Sequence, residues 1–257
     1  MDPEFFKNLT LGWIVIGILV LPLTLWITAP FGRHLRRRFG PAIGNRLGWI
    51  LMESPAIWWF TVVFVAGVPG GRVNSQNCVA WILWALWMFH YWNRGLVFPM
   101  RIRTAGKQIP LLIVAFAFCF QMVNGLLNGL ALGQFGLQYS VDWMRQPNFW
   151  IGLTLFVLGW LINFSSDEIL FRLRKPAETN YQIPNGGLFK WISCPNFLGE
   201  MNMWSGWAIL CWNLAALSFA VWTVANLLPR ALAHHRWYRQ SFVGYPANRK
   251  AVFPGLL

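Results

Sequence analysis

A carboxylic acid and a phenol stand where the sequence otherwise promises hydrocarbon. Glu53 lies within the apolar run Leu47–Pro69, and Tyr91 lies within Cys78–Pro99. An ionisable group inside a bilayer is costly and is by default a functional candidate. At 1.5 Å per helical residue, counted from the nearer ends of their runs, Glu53 sits roughly 9 Å and Tyr91 roughly 12 Å below the same membrane face. Side chains at matched depth can meet across two helices, either as an interhelical hydrogen bond that holds the bundle together or as paired donors aimed at a substrate oxygen that gains negative charge. Tyr91 donates at any ordinary pH. Glu53 donates only when protonated, the form that apolar surroundings favour, and if ionised it accepts from Tyr91 and orients it instead.

A second set of polar residues follows the fifth apolar run. Asn163, Ser165, Ser166 and Asp167 end that run, and Arg172 and Arg174 follow within two or three turns. Then come Tyr181, Asn196 and Glu200, and after them Arg230, His234, His235, Arg236, Tyr238 and Arg249. Guanidinium forks suit phosphates, and acids at helix ends beside arginines suit the hydroxyl or amide groups of a nucleotide. The plainer alternatives are that the arginines only mark a cytoplasmic face, and that Asp167 is a helix cap or half of an ion pair. There is no GxGxxG after a strand, no GxxxxGK[ST] and no HExxH, so neither a Rossmann domain, a P-loop nor a zincin fits. His234 and His235 are adjacent, so they point to different faces of a helix, and no carboxylate stands at i+4; no metal site is expected.

Composition says what must position these groups. With 56% hydrophobic residues, 11% charged residues and 18 tryptophans in 257 positions, the apolar surface exceeds what one soluble core can hide. Five runs, Leu11–Thr28, Leu47–Pro69, Cys78–Pro99, Ile109–Gly133 and Phe149–Ser165, each approach or exceed the roughly 20 residues that span a bilayer. The loops rich in Lys and Arg alternate with poor ones, the pattern of a chain whose N-terminus is outside and whose basic loops are cytoplasmic. The five cations after Leu228 fall on the wrong side if Gly206–Leu228 crosses once. Phe197–Tyr238 is long enough for two short or tilted helices that bend near Asn213. The expectation is therefore seven crossings, a cytoplasmic C-terminus and a single domain over residues 1–257.

The net charge of +13 is spread between apolar segments rather than gathered in a tail, which speaks against nucleic acid and for a membrane face and an anionic ligand. Cys78, Cys119, Cys194 and Cys211 have no CxxC spacing, so no disulfide frame is expected. No cleavable signal is apparent. The opening Met1-Asp2-Pro3-Glu4-Phe5 looks like what a vector's restriction sites encode and is set aside. The segment Ser166–Ser205, full of polar and turn residues, reads as a long cytoplasmic loop, the usual place for ligand chemistry.

These residues fall in stretches that resemble the steroid 5α-reductases, 3-oxo-5α-steroid 4-dehydrogenases. The stretches are Thr28-Ala29-Pro30-Phe31-Gly32-Arg33, Met52-Glu53-Ser54-Pro55-Ala56, His90-Tyr91-Trp92-Asn93-Arg94, Asn163-Phe164-Ser165-Ser166-Asp167, Leu173-Arg174, Tyr181-Gln182-Ile183-Pro184-Asn185-Gly186-Gly187, Pro195-Asn196-Phe197-Leu198-Gly199-Glu200, Pro229-Arg230 through Tyr238, and Tyr245-Pro246 with Arg249-Lys250. The resemblance covers nearly the whole chain, from about Thr28 to Pro254. The fold expected is an all-α integral membrane protein of seven transmembrane helices with cytoplasmic loops forming a cofactor lid, and the resemblance implies NADPH as hydride donor and a Δ4-3-oxosteroid as acceptor, held in a cavity among the helices. Carried over position by position, Glu53 and Tyr91 hold the 3-keto oxygen. Asn163, Asp167, Arg174, Tyr181, Asn196, Glu200, Arg230, His234, Tyr238 and Arg249 surround the cofactor. Gln182 and Phe171 depart from it, standing where such enzymes often carry basic residues. A reductase of the same fold acting on an enoyl thioester or a polyprenol relative is the alternative. Such a chain suits a bacterial inner membrane, or the endoplasmic reticulum of a eukaryote, as a monomer in contact with membrane lipids.

Overall fold

The structure, a computed structural model, describes residues 1–27, 40–103, 106–173 and 181–256. Its helices are α1 (Pro3–Trp26), α2 (Asn45–Gly67), α3 (Cys78–Trp92), α4 (Phe98–Arg101), α5 (Leu111–Leu132), α6 (Pro147–Leu173), α7 (Pro195–Cys211) and α8 (Leu214–Ser241). A π-helical turn over Asn93–Val97 joins α3 to the short α4, so the two form one rod and the described chain contains seven long rods. Five of them, α1, α2, α5, α6 and α8, are individually long and apolar enough to cross a membrane. Their polarity is that of a protein dissolved in lipid: on α1, Ile18, Leu19 and Leu23 are more than half exposed, while Asn124 and Asn128 of α5 are buried.

The expected bend near Asn213 is present. Trp212 takes the left-handed conformation (φ 50°) at the end of α7, and the Asn213 side chain caps α8 by accepting from the Ala216 N–H at 2.8 Å. Asn213 Nδ2 also donates to the Tyr139 hydroxyl (2.7 Å), which donates to the Cys211 carbonyl (2.7 Å), so the corner is tied to the preceding loop. The reading of Ser166–Ser205 as one long loop is corrected. Helix α6 continues to Leu173 and α7 begins at Pro195, so both ends of that segment are helical. Two three-residue strands also depart from an all-helical fold: β1 (Ala42–Gly44) pairs antiparallel with β2 (Gln108–Pro110) and sets the start of α2 beside the start of α5.

Two helix pairs carry the site, and both need close backbone approach. On α6 and α7, Gly152, Gly159, Gly199 and Gly206 face each other at seven-residue spacing. A Cβ at Gly159 would collide with the Met203 backbone, and one at Gly199 with the Asn163 backbone. Small residues at such an interface let two membrane helices touch along their length. Between α2 and α5, a Cβ at Gly129 would lie 2.9 Å from Val63 Cβ. The core is aromatic. Trp87 packs against Phe60, Tyr91, Trp204, Trp207 and Phe219 with ring centroids 4.4–5.5 Å apart, and its indole N–H donates to the Ala56 carbonyl at 2.8 Å. Such offset and edge-on pairs add to the burial of each ring and fix its orientation.

Candidate active site

Glu53 on α2 and Tyr91 on α3 meet, and a third side chain joins them. Gln121 of α5 donates from Nε2 to Glu53 Oε2 (2.8 Å) and to the Tyr91 hydroxyl (3.2 Å). Gly95 lets the end of α3 close onto α2 here, because a Cβ in its place would lie 3.3 Å from Glu53 Cβ. The Tyr91 ring is held between Trp87 (4.9 Å) and Trp204 (5.8 Å). Gln121, not among the residues the sequence singles out, carries the same signal as Glu53, a polar side chain inside an apolar run.

Three residues beyond Tyr91, in the π turn, Arg94 collects the charge of the site. Its Nη1 lies 3.6 Å from Asp167 Oδ2 of α6 and its Nη2 lies 3.6 Å from Glu200 Oε2 of α7. The guanidinium lies 4.7 Å from the Trp49 ring centroid and 4.5 Å from that of Phe98, and the Trp49 indole donates to the Arg94 carbonyl at 3.1 Å. A π turn widens a helix by one residue per turn and is frequent at functional sites. Here it sits where α3 delivers Arg94 between two acids. Arg94 falls in the His90–Arg94 stretch, but sequence spacing says nothing of partners more than 70 positions away.

Arg94 and Asp167 also line a cavity of about 250 Å³. Of the residues singled out in the sequence, Asp167, Tyr181, Asn196, Arg230, His234 and Tyr238 line it; Arg103, Lys107 and Ser193 line it as well, without having been foreseen. Gln182 and Phe171, the two departures from the family pattern, are on its wall. Lys107 donates to the Tyr181 hydroxyl at 3.0 Å and lies 4.4 Å from that ring's centroid. Among the described residues the wall is therefore rich in cations and aromatic faces, with one carboxylate.

Asn163, Glu200 and Arg249 stand behind the wall. Asn163 donates to the Asn196 carbonyl (3.0 Å), and Asn196 Nδ2 donates to Asp167 Oδ1 (3.3 Å), an arrangement that depends on the glycine contact between α6 and α7. Arg249 is buried and donates to the Pro184 carbonyl at 2.9 Å, clasping the Tyr181–Asn185 loop. The chain after α8 also pairs with residues 191–194: Ser193 N–H donates to the Lys250 carbonyl (2.8 Å) and Cys194 N–H to that of Ala251 (3.0 Å). Ser193 Oγ, 2.6 Å from both His235 Nδ1 and the Tyr245 hydroxyl, ties the same two segments to α8. Arg174 and the stretch Thr28–Arg33 lie outside the described residues.

Fold and site together define a helical membrane protein with an acid–phenol pair beside a cationic cavity. The sequence profile described as 3-oxo-5-alpha-steroid 4-dehydrogenase matches residues 107–257. The chain is 37% identical to the steroid 5-alpha-reductase DET2 of Solanum lycopersicum over 99% of its own length and 98% of that protein's. It is 38% identical to 3-oxo-5-alpha-steroid 4-dehydrogenase 1 of Bos taurus over 94% and 93% of the two chains, and 34% identical to that of Homo sapiens over 94% and 91%. The chain belongs to the steroid 5-alpha-reductase family.

Proposed function

We propose that this protein is an NADPH-dependent 3-oxo-5α-steroid 4-dehydrogenase that reduces the Δ4 double bond of 3-oxosteroids to 5α-dihydro products. The observation that carries the reading is the meeting of Glu53 and Tyr91 at Gln121, three residues along α3 from an arginine that lines a cationic cavity. The relatives' steroid names favour this substrate over an enoyl thioester or a polyprenol.

The donor set fits NADPH. Arg103, Lys107 and Arg230 bring positive charge to the cavity wall where phosphates require it, and His234 adds a ring nitrogen that can hydrogen-bond. Arg174 and Arg249 belong to the same cofactor region in the family resemblance, Arg249 by clasping the loop that carries Tyr181. Asp167 and Asn196 offer acceptors for hydroxyl and amide groups and Tyr238 lines the same wall, while Glu200 and Asn163 hold the wall in place. When bound, NADPH supplies the hydride that goes to carbon 5 of the steroid.

Hydride addition at carbon 5 of an enone pushes negative charge through the conjugated system onto the 3-keto oxygen. Donors aimed at that oxygen therefore stabilise the transition state more than the ground state. Tyr91 and a neutral Glu53 are those donors, and carbon 4 takes its proton from solvent. The indoles around Tyr91 exclude water, so each hydrogen bond there is stronger than it would be in solution.

Seven rods cross the membrane, with the N-terminus outside and the C-terminus in the cytoplasm. The loop from Tyr181 and the segment after α8 form the cofactor lid on the cytoplasmic side. The direct test is to incubate purified protein with NADPH and testosterone or progesterone and analyse the steroid by mass spectrometry. The 5α-dihydro product is expected. Unchanged steroid, together with reduction of an enoyl thioester or a polyprenol precursor, would overturn the substrate assignment.

A further inference from the structure

Gln121 is one end of a buried chain of side-chain amides. Gln121, Asn124 and Asn128 share one face of α5 and are all buried. The chain's far end is Trp207 of α7, whose indole N–H donates to Asn128 Oδ1 at 3.2 Å. Asn128 Nδ2 donates to Asn124 Oδ1 (3.0 Å) and to the Asn124 carbonyl (3.1 Å). Asn124 Nδ2 donates to Gln121 Oε1 (3.3 Å), and Gln121 Nε2 donates to Glu53 and Tyr91.

The direction of this chain is fixed by chemistry. An indole N–H donates and cannot accept, and a backbone carbonyl accepts and cannot donate. Asn128, placed between one of each, can present only its oxygen to Trp207 and its NH2 to Asn124. Asn124 then has its oxygen filled and must turn its NH2 to Gln121, and Gln121 in turn must turn its NH2 to Glu53 and Tyr91. A flip of any amide would set donor against donor in a dry interior, where an unmade hydrogen bond is expensive.

The consequence falls on the two groups that Gln121 touches. Glu53 Oε2 is filled as an acceptor, so the proton of neutral Glu53 belongs on Oε1. Tyr91 is filled as an acceptor as well, so its own hydrogen is left to donate. Its contact with Gln121 Oε1 is 3.5 Å, longer than an ordinary O–H···O bond, and a substrate carbonyl competes for it readily. We propose that Gln121, oriented by the Asn124–Asn128–Trp207 chain, is a positioning residue that turns Glu53 and Tyr91 into paired donors facing the substrate oxygen. This rests on the reading of Glu53 and Tyr91 given above.

The test measures kcat, KM for steroid and NADPH affinity in Gln121→Leu, Asn124→Leu, Glu53→Ala, Glu53→Gln, Tyr91→Phe and the double variant Glu53→Gln/Gln121→Leu. Leucine keeps the branched shape of asparagine and comes near the volume of glutamine, and retained NADPH binding reports an intact fold. Gln121→Leu should lower kcat about 10²-fold, the scale of a misplaced catalytic group, with a much smaller change in KM. Asn124→Leu should lower kcat in the same direction by a smaller factor. The double variant is the sharpest arm. Gln121 pins the oxygen of a glutamine at position 53 and so directs its NH2 to the substrate, so the advantage of Glu53→Gln over Glu53→Ala should vanish once Gln121 is Leu. If Glu53→Ala and Tyr91→Phe abolish turnover but Gln121→Leu leaves kcat intact, or the Glu53→Gln advantage survives without Gln121, the positioning role is wrong and the catalytic pair stands. Near-normal kcat in Glu53→Ala and Tyr91→Phe themselves would remove the pair and this role together.

Discussion

Replacing Arg94 with methionine takes away the cation that two buried acids share. The side chains of Arg94, Asp167 and Glu200 are 13%, 10% and 15% exposed, so water can replace little of what the guanidinium supplies. Removing one partner of a buried pair costs about 3–5 kcal/mol, because the remaining charge is left without compensation. Methionine keeps most of the packing against Trp49 and Phe98, so the loss is chiefly electrostatic. For a chain of this size about 1 kcal/mol shifts Tm by roughly 2–4 °C, so Arg94→Met should melt some 6–20 °C below the parent. Tryptophan fluorescence during heating in detergent or nanodiscs reads this directly. The triple variant Arg94→Met/Asp167→Asn/Glu200→Gln removes all three charges and should recover most of the loss. A single variant melting within about 2 °C of the parent, or a triple variant no more stable than the single, would refute the claim that this cluster is held by Arg94.

Tyr91→Phe leaves its ring between Trp87 and Trp204 and removes one O–H, so turnover should fall about 10²–10³-fold with NADPH binding retained. Glu53→Ala should do the same, while Glu53→Gln, which keeps a donor, should retain more activity. Arg174→Ala and Arg249→Ala should each weaken NADPH binding by about 1.5–3 kcal/mol, roughly 10- to 150-fold in Kd, the latter by freeing the loop at Pro184. Unchanged titrations in both variants would place the cofactor elsewhere. A phosphatase fused to the C-terminus should be silent, and the same fusion at the N-terminus active; the reverse would invert the topology.

The helices were legible because lipid makes burial unnecessary for apolar residues, so runs such as Ile109–Gly133 stand out without any amphipathic pattern. The break at Asn213 was legible from charge and length together, and the structure supplies its means in the Trp212 turn and the Asn213 cap. The segment Ser166–Ser205 misled for the opposite reason. The polar residues at its two ends are on helices whose buried faces turn to a cavity and to each other, so Ser166, Asp167 and Asn196 look like loop residues when only hydropathy is counted. The glycines at 152, 159, 199 and 206 state the α6–α7 contact at seven-residue spacing, but the pairing of two helices is visible only when both are in place. Glu53 and Tyr91 stand out in the sequence by their depth, and the family resemblance points to the same two residues. Their link, Gln121, was visible as a polar interruption of the fourth run, and Arg94's partners were not, because ion pairs between distant helices leave no spacing in the sequence.

In the proposed reaction hydride passes from NADPH to carbon 5 of an enone whose 3-keto oxygen is held by Glu53 and Tyr91. It is tested most directly by isotope placement. With NADPH deuterated at the transferred position of its nicotinamide, the 5α-dihydro steroid should carry one deuterium at carbon 5 and none at carbon 4. With ordinary NADPH in deuterium oxide, the label should instead appear at carbon 4. Product that carries no label at carbon 5 from the deuterated cofactor would contradict the account.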